Sequence, residues 1–218
     1  MDHPLARVRM PTNAELNGFV AAINSKYPVL TTEWGAMDGL KIKICSCANP
    51  VAQNNNYNGW LHGHFRNNLL LFSPDGLVQA CYFNAPGTMH DSSMAIWGGV
   101  YDKIDAVYQQ TGFCVVADSA FARENRNSIL PSYQTNLNHQ GQMRQHQDLY
   151  AAATSMRQLS KWGMHGFKSS FRRLESTFPY KERGELRVIM QMIILLYNFR
   201  ASTVGQNQIQ SSFYPNLI

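Results

Sequence analysis

A chain of 218 residues that is 44 % hydrophobic and 15 % charged suits one medium-sized domain and excludes an intrinsically disordered polypeptide. Its formal net charge of +5 is compatible with a polyanionic partner, although many basic proteins have none. The opening Met1-Asp2-His3-Pro4 lacks the basic-then-apolar pattern of a signal peptide, and the most apolar run, Val188 to Tyr197, falls short of the ~20 residues a spanning helix needs, so no membrane is expected.

Thr12 and Glu15 have capping-box spacing, and Leu16, Phe19, Val20 and Ile23 then recur on one helical face until Pro28. Residues 1–30 therefore read as a helical lead-in. From Trp34 to Ile44 the pattern is strand-like, with a break at Asp38-Gly39; Leu40, Ile42 and Ile44 alternate with Lys41 and Lys43. Residues 49–64, rich in Asn, Gly and His, read as a long loop. Leu69–Phe72 and Leu77–Phe83 flank the turn Ser73-Pro74-Asp75-Gly76 as a hairpin. After Pro86-Gly87, Asp91, Ser92 or Ser93 caps a helix whose inner face is Trp97, Tyr101, Ile104 and Tyr108. Phe113 to Ala117 is a short apolar run ending at Asp118, as in a central buried strand. Residues 122–150 form a polar insertion or loop. A long helix follows from about Ala152 to Leu174, then the apolar helix from about Leu186 to Phe199, which reads as core. Residues 31–204 thus make one α/β domain, a mixed central sheet flanked by helices, and 205–218 a tail. There is no internal repeat.

Asp38 sits at a strand-to-glycine break and Asp118 at the end of an apolar strand. A carboxylate at the end of a buried strand is costly unless compensated. Two on neighbouring strands repel, and a divalent cation such as Mg²⁺, held by one or two carboxylates with water and phosphate oxygens, removes the repulsion. The chemistry would be two-metal phosphodiester cleavage. Spacing alone favours the plainer alternative that each Asp ends a turn.

Several segments change that weighting. Ala36-Met37-Asp38-Gly39, Tyr57-Asn58-Gly59-Trp60, Asn84-Ala85-Pro86-Gly87-Thr88-Met89-His90-Asp91-Ser92, Ala117-Asp118-Ser119-Ala120-Phe121, and Tyr197-Asn198-Phe199-Arg200 through Gly205-Gln206-Asn207-Gln208-Ile209 resemble, in order, the nuclease domain of Harbinger (PIF/Harbinger) DDE transposases. The Pro-Gly-x-x-His-Asp-Ser element and the Asp-Ser-x-Phe strand end carry the most weight. The resemblance implies an RNase H-like fold, Mg²⁺- or Mn²⁺-dependent DNA cleavage and strand transfer, and a nuclear location. It matches Asp38 and Asp118 to the first two members of the acidic triad, as catalytic and metal-binding residues. Asp91 and His90 fall in an auxiliary position of the Pro-Gly segment, where Asp91 is equally well a helix N-cap.

The family's third carboxylate is a Glu on the late helix. Registering Trp162-Gly163 and Phe171-Arg172 on the family pattern puts Lys161 there. An acceptor-only ligand becomes an ammonium with no lone pair, so metal binding is expected to be weak or absent and the Lys161 ammonium to pair with an aspartate instead. Arg157, Lys161, His165, Lys168 and Arg172 recur at spacings of 4, 4, 3 and 4. That stripe is either a solvated face or a track for phosphates, in which Arg157, Lys168 and Arg172 touch the DNA backbone.

Two functions follow. One is a transposase-derived nuclease impaired by Lys161; the other is a non-catalytic remnant that binds DNA or a protein. The family tends to work with a separate Myb-like DNA-binding protein, and it usually carries a helix-turn-helix ahead of the nuclease domain. Only one convincing helix precedes Asp38, so specific recognition of transposon ends is not expected. Cys45-x-Cys47 and His62-x-His64 have zinc-type ligands without a standard knuckle spacing, and core thiols in a reduced, intracellular protein are the default. No Gly-rich phosphate loop and no Ser-His-Asp or Cys-His pattern stands out.

Overall fold

The computed structural model describes residues 3–121, 126–132, 147–180, 183–205 and 207–215. Helix α1 (Asn13–Lys26) begins at the expected capping box: Thr12 Oγ1 accepts from the Glu15 N–H and the Glu15 carboxylate accepts from the Thr12 N–H. Its buried side chains are Leu16, Phe19 and Ile23. Strand β1 (Glu33–Lys43) runs straight through Asp38-Gly39 instead of breaking there. Gly39 serves close approach rather than a turn, since a Cβ on it would stand 2.8 Å from Asp91 Oδ1.

The expected loop at 49–64 holds helix α2 (Pro50–Asn56) and the short strand β2 (Tyr57–Asn58). The signal was local. Asn49 Oδ1 accepts from the N–H groups of Val51 and Ala52, and Pro50 takes the first helical position. Strands β3 (Gly63–Phe72) and β4 (Val78–Pro86) form the hairpin, both longer than expected, about a turn in which Gly76 takes φ +82°.

The single helix expected after Asp91 is two, α3 (Asp91–Trp97) and α4 (Val100–Thr111). Gly98-Gly99 breaks it: Gly99 takes φ +62°, and a Cβ on Gly98 would meet Tyr82 at 2.6 Å. Trp97 is thereby thrown outward, 76 % exposed, and the inner face becomes Val100, Tyr101, Ile104 and Val107. Strand β5 (Cys114–Asp118) is as expected. The polar segment supplies β6 (Ile129–Ser132) and the start of α5 (Gln147–Met156), while its residues 122–125 and 133–146 lie outside the described ones.

The long helix expected over 152–174 is divided. After α5 comes α6 (Gln158–Ser170), and Arg172–Glu175 is a separate 3-10 turn beyond Phe171. At the join, Ser160 Oγ donates to the Arg157 carbonyl, a side-chain bond of the kind that bends helices. Helix α7 (Arg183–Val204) is the apolar one, and α8 (Gln208–Phe213) occupies part of the expected tail, capped by Asn207. None of these helices, among the described residues, is long and apolar enough to cross a membrane.

Strands β3, β1, β5 and β6 are neighbours in that order, with β4 and β2 both pairing on β3. The β4-β3-β1 part is antiparallel and the β1-β5-β6 part parallel. Strand alternation sends side chains to two cores. On one face Met37, Leu69, Leu71, Val115 and Ala117 pack against α1, α3 and α4. On the other, Ala36, Leu40, Leu70, Phe72 and Val116 pack against α5 to α8 through Met156, Leu159, Phe167, Met190 and Ile209. Helix α6 comes closest at Gly163, where a Cβ would stand 2.6 Å from the Phe72 ring. A mixed sheet with helices on both faces is the architecture expected of an RNase H-like fold.

Candidate active site

Sheet register brings the two expected carboxylates together. Ala36 of β1 is paired with Val116 of β5. Two residues further along each parallel strand stand Asp38 and Asp118, side by side at the ~4.8 Å spacing of neighbouring strands. Both share the face of Ala36 and Val116, toward α6. Across β6 the row continues, since Asp118 is paired with Ser132.

Helix α6 delivers a cation to this row from Arg157, at its N-terminal end. The Arg157 guanidinium donates to Asp118 Oδ2 at 2.6 Å and to Ser132 Oγ at 3.1 Å. Its side chain is only 13 % exposed, against 35 % for Asp118. The expectation that Lys161 supplies the pairing cation is thus corrected. Lys161, one turn further on, is exposed and forms no ion pair among the described residues, although its charge still reaches Asp38 and helps to lower its carboxyl. The five-residue stripe is corrected in the same way. Arg157 points into the protein, Lys161 and His165 are exposed, Lys168 is half-buried, and Arg172 lies past the end of α6.

Burial pushes the Asp38 carboxyl above its ordinary value, and the neighbouring Asp118 adds to that; the Gly39 N–H, Arg157 and Lys161 pull the other way. Asp38 Oδ1 accepts from the Gly39 N–H at 2.8 Å. Asp118 Oδ1 accepts from Ser119 Oγ at 3.1 Å and from the Ala120 N–H at 3.4 Å.

Asp91 lies across the strand from this pair. Gly39 follows Asp38 in an unshifted register, so the position of its missing Cβ, against which the Asp91 carboxylate rests, is on the opposite face of β1. Burial raises the Asp91 carboxyl, Lys41 lowers it, and Asp38 and Asp118 raise it further. His90 precedes α3, exposed and with no side-chain cap bond.

A divalent metal needs several oxygens free to face one point. Here Arg157 holds one Asp118 oxygen, Ser119 and Ala120 the other, and the Gly39 N–H holds one oxygen of Asp38. Asp91 is across the strand, and the other α6 side chain whose charge reaches Asp38 is a cation, Lys161. Among the described residues no group of three or more His, Cys, Asp or Glu side chains could hold a metal. The donor set, as it stands, does not fit the ion. The same holds for the zinc alternative at Cys45-x-Cys47 and His62-x-His64, and the expectation of core thiols is corrected: Cys45 is exposed, Cys47 and Cys81 are half-buried, and only Cys114 of the four is buried.

Sequence reasoning missed Ser132 and the inward turn of Arg157. Ser132 was hidden in a polar segment with no strand pattern. Arg157 had one signal, its four-residue spacing from Lys161, which places both on one helix face.

Residues 37–198 match a family described as DDE superfamily endonuclease. No curated protein and no solved structure matches the chain.

Proposed function

Since the chain belongs to the DDE superfamily endonuclease family, whose match spans well over half of its residues, we propose that it is a Harbinger-type, transposase-derived DNA-binding domain of the nucleus whose cleavage chemistry is impaired. DDE superfamily endonucleases generally use divalent metals. The observation that carries the proposal is the Arg157–Asp118 ion pair beside Asp38, which the charge of Lys161 also reaches; the resemblance matches Lys161 to the family's third acidic position. Two cationic groups face the pair of carboxylates where the chemistry calls for a metal and a third anion.

What the chain's own residues do follows from that charge balance. Arg157 pairs with Asp118 and also donates to Ser132, so it joins β5, β6 and α6. Burial favours a proton on Asp38, which relieves the remaining repulsion. Arg157 thus engages Asp118, and burial makes Asp38 a less ready anion than a free carboxylate.

Plasmid nicking in Mg²⁺ and in Mn²⁺ tests the proposal, with the unmodified chain compared with Lys161→Glu. Activity in the variant alone supports an impaired nuclease, and activity in neither supports a purely DNA-binding remnant. Equal nicking by both sinks the proposal, because Lys161 would then not be the site of the loss. DNA binding is read separately, as retention of duplex DNA that weakens steeply with added salt.

A further inference from the structure

Two of the segments on which the Harbinger resemblance rests, Tyr57–Trp60 and Pro86–Ser92, play no part in the Asp38–Asp118 pair. They meet at a cavity of about 350 Å³ beside Gly39's face of β1, lined by Lys41, Tyr57, Trp60, Asn67, His90 and Asp91 among others, with Ala120 in its wall. Ala120 is two residues past Asp118, so the cavity adjoins the acidic pair.

Its chemistry is unusual for a surface hollow. Trp60 is 91 % exposed, yet its backbone is fixed, because Asn58 Oδ1 accepts from the N–H groups of Trp60 and Leu61 at 3.2 and 3.0 Å. An indole presented this way offers a free aromatic face. Asn67 is 2 % exposed. Its Nδ2 donates to the carbonyls of Gly87 at 3.2 Å and Met89 at 2.9 Å, which settles which end of the amide is which. Its Oδ1 is left buried with no partner, the kind of orphan that calls for a donor. Among the described residues the Asp91 carboxylate likewise has no hydrogen bond or ion pair, so a second acceptor stands unused. Lys41 is the exposed cation on the wall.

We propose that this cavity receives one nucleobase turned out of the DNA stack, with Trp60 stacking on it, Asp91 and Asn67 accepting from its N–H groups, and Lys41 meeting the adjoining phosphate. The idea rests on the DNA-binding function proposed above. An aromatic face beside acceptors suits a base, since every base has a π-face and most have amino donors. A bare phosphate is disfavoured by the Asp91 carboxylate, and a basic peptide side chain by Lys41. Guanine, with adjacent ring N–H and amino donors, fits two acceptors better than thymine.

The test measures the affinity of the full chain, at one salt concentration, for a short DNA duplex with one bulged guanine, the same duplex with a bulged thymine, and the fully paired duplex. The bulged-guanine duplex should bind roughly tenfold tighter than the paired one, with bulged thymine between them. Trp60→Ala should erase the preference for a bulge. Asp91→Asn, nearly isosteric and so kind to the contact at Gly39, should erase the guanine-over-thymine difference. Circular dichroism confirms that each variant is folded. Equal affinity of the unmodified chain for paired and bulged duplexes overturns the base site while leaving DNA binding standing. A bulge preference that survives Trp60→Ala also overturns it. Failure to bind any of the three duplexes overturns both the base site and the DNA-binding function.

Discussion

Replacing Arg157 by Gln keeps a long polar side chain but removes the charge that faces Asp118 and Asp38. Two unit charges about 4 Å apart at an effective dielectric near 20 attract by about 4 kcal/mol. Asp118 is 35 % exposed and Arg157 13 %, so solvent screening and the desolvation of the guanidinium cancel much of that. A net loss of about 2 kcal/mol at pH 7 is expected. Loss of the cation also leaves the Asp38–Asp118 repulsion, of about 3 kcal/mol at ~5 Å by the same relation, to be relieved by a proton on Asp38. Asp38 already has a folded-state carboxyl above its ordinary value. The folded state therefore binds that proton more readily than the unfolded chain, and stability falls as pH rises from the ordinary carboxylate value through the raised one. Arg157→Gln raises the folded value further and deepens the fall. Its deficit should be largest at neutral pH and shrink as pH falls toward ~4, the ordinary carboxylate range, because acid favours the proton on Asp38 in both proteins. Urea unfolding at the two pH values, with and without Mg²⁺, reads this directly. Mg²⁺ should raise the midpoint of the variant at pH 7 and leave that of the unmodified chain where it was. Equal stability of the two proteins at pH 7, or a deficit unchanged by pH, would refute the reasoning.

Three further changes probe the frame that holds the site. The Arg9 guanidinium and the Thr12 cap hold the Glu15 carboxyl down to about 2; this support is present above the ordinary glutamate value and is lost as pH falls toward 2. Because both side chains are well exposed, Glu15→Gln should cost only about 1 kcal/mol at pH 7 and nothing at the acid end, as read by thermal unfolding against pH. Gly163→Ala puts a methyl 2.6 Å from the Phe72 ring, so it should destabilise by about 1–3 kcal/mol in denaturant unfolding, with Phe72→Leu partly restoring the loss. Asn198, fully buried, accepts from the Val78 N–H and donates to the Val78 and Arg7 carbonyls; Asn198→Ala should cost about 2–4 kcal/mol and speed hydrogen exchange of the Val78 amide.

Elements whose cause is local were legible in the sequence. The capping box at Thr12 and the Ser73–Gly76 turn each rest on a few adjacent residues, and both stand where the pattern put them. The apolar run ending at Asp118 gave β5 because a strand buried on both faces needs no alternation. Failures came where a glycine had two meanings. Gly39 was read as a break although its small size admits Asp91, and Gly98-Gly99 was passed over although Tyr82 crowds the first and the second is left-handed. The acidic pair was legible as residue types, but its partner was not. Which cation on α6 turns inward depends on where the helix rests on the sheet, and Gly163 against Phe72 sets that across a long stretch of sequence. That contact puts Arg157 over Asp118 and leaves Lys161 at the rim.

The same arrangement explains how the fold accommodates Lys161 beside its two aspartates. The residues of α6 that hold it to the core are Leu159, Gly163, Met164 and Phe167, and Lys161 is not among them. Glu and Lys are similar helix formers, so the exchange costs little in propensity. Its effect is electrostatic. With no metal bound, a Glu at this position would add a third negative charge to two aspartates that already repel, whereas Lys161 joins Arg157 in lowering the Asp38 carboxyl. With no metal added, Lys161→Glu should therefore destabilise the chain as pH rises. A lysine here thus offsets the repulsion of the two aspartates, and the sheet that assembles Asp38 and Asp118 persists because its two cores do not depend on the chemistry between them.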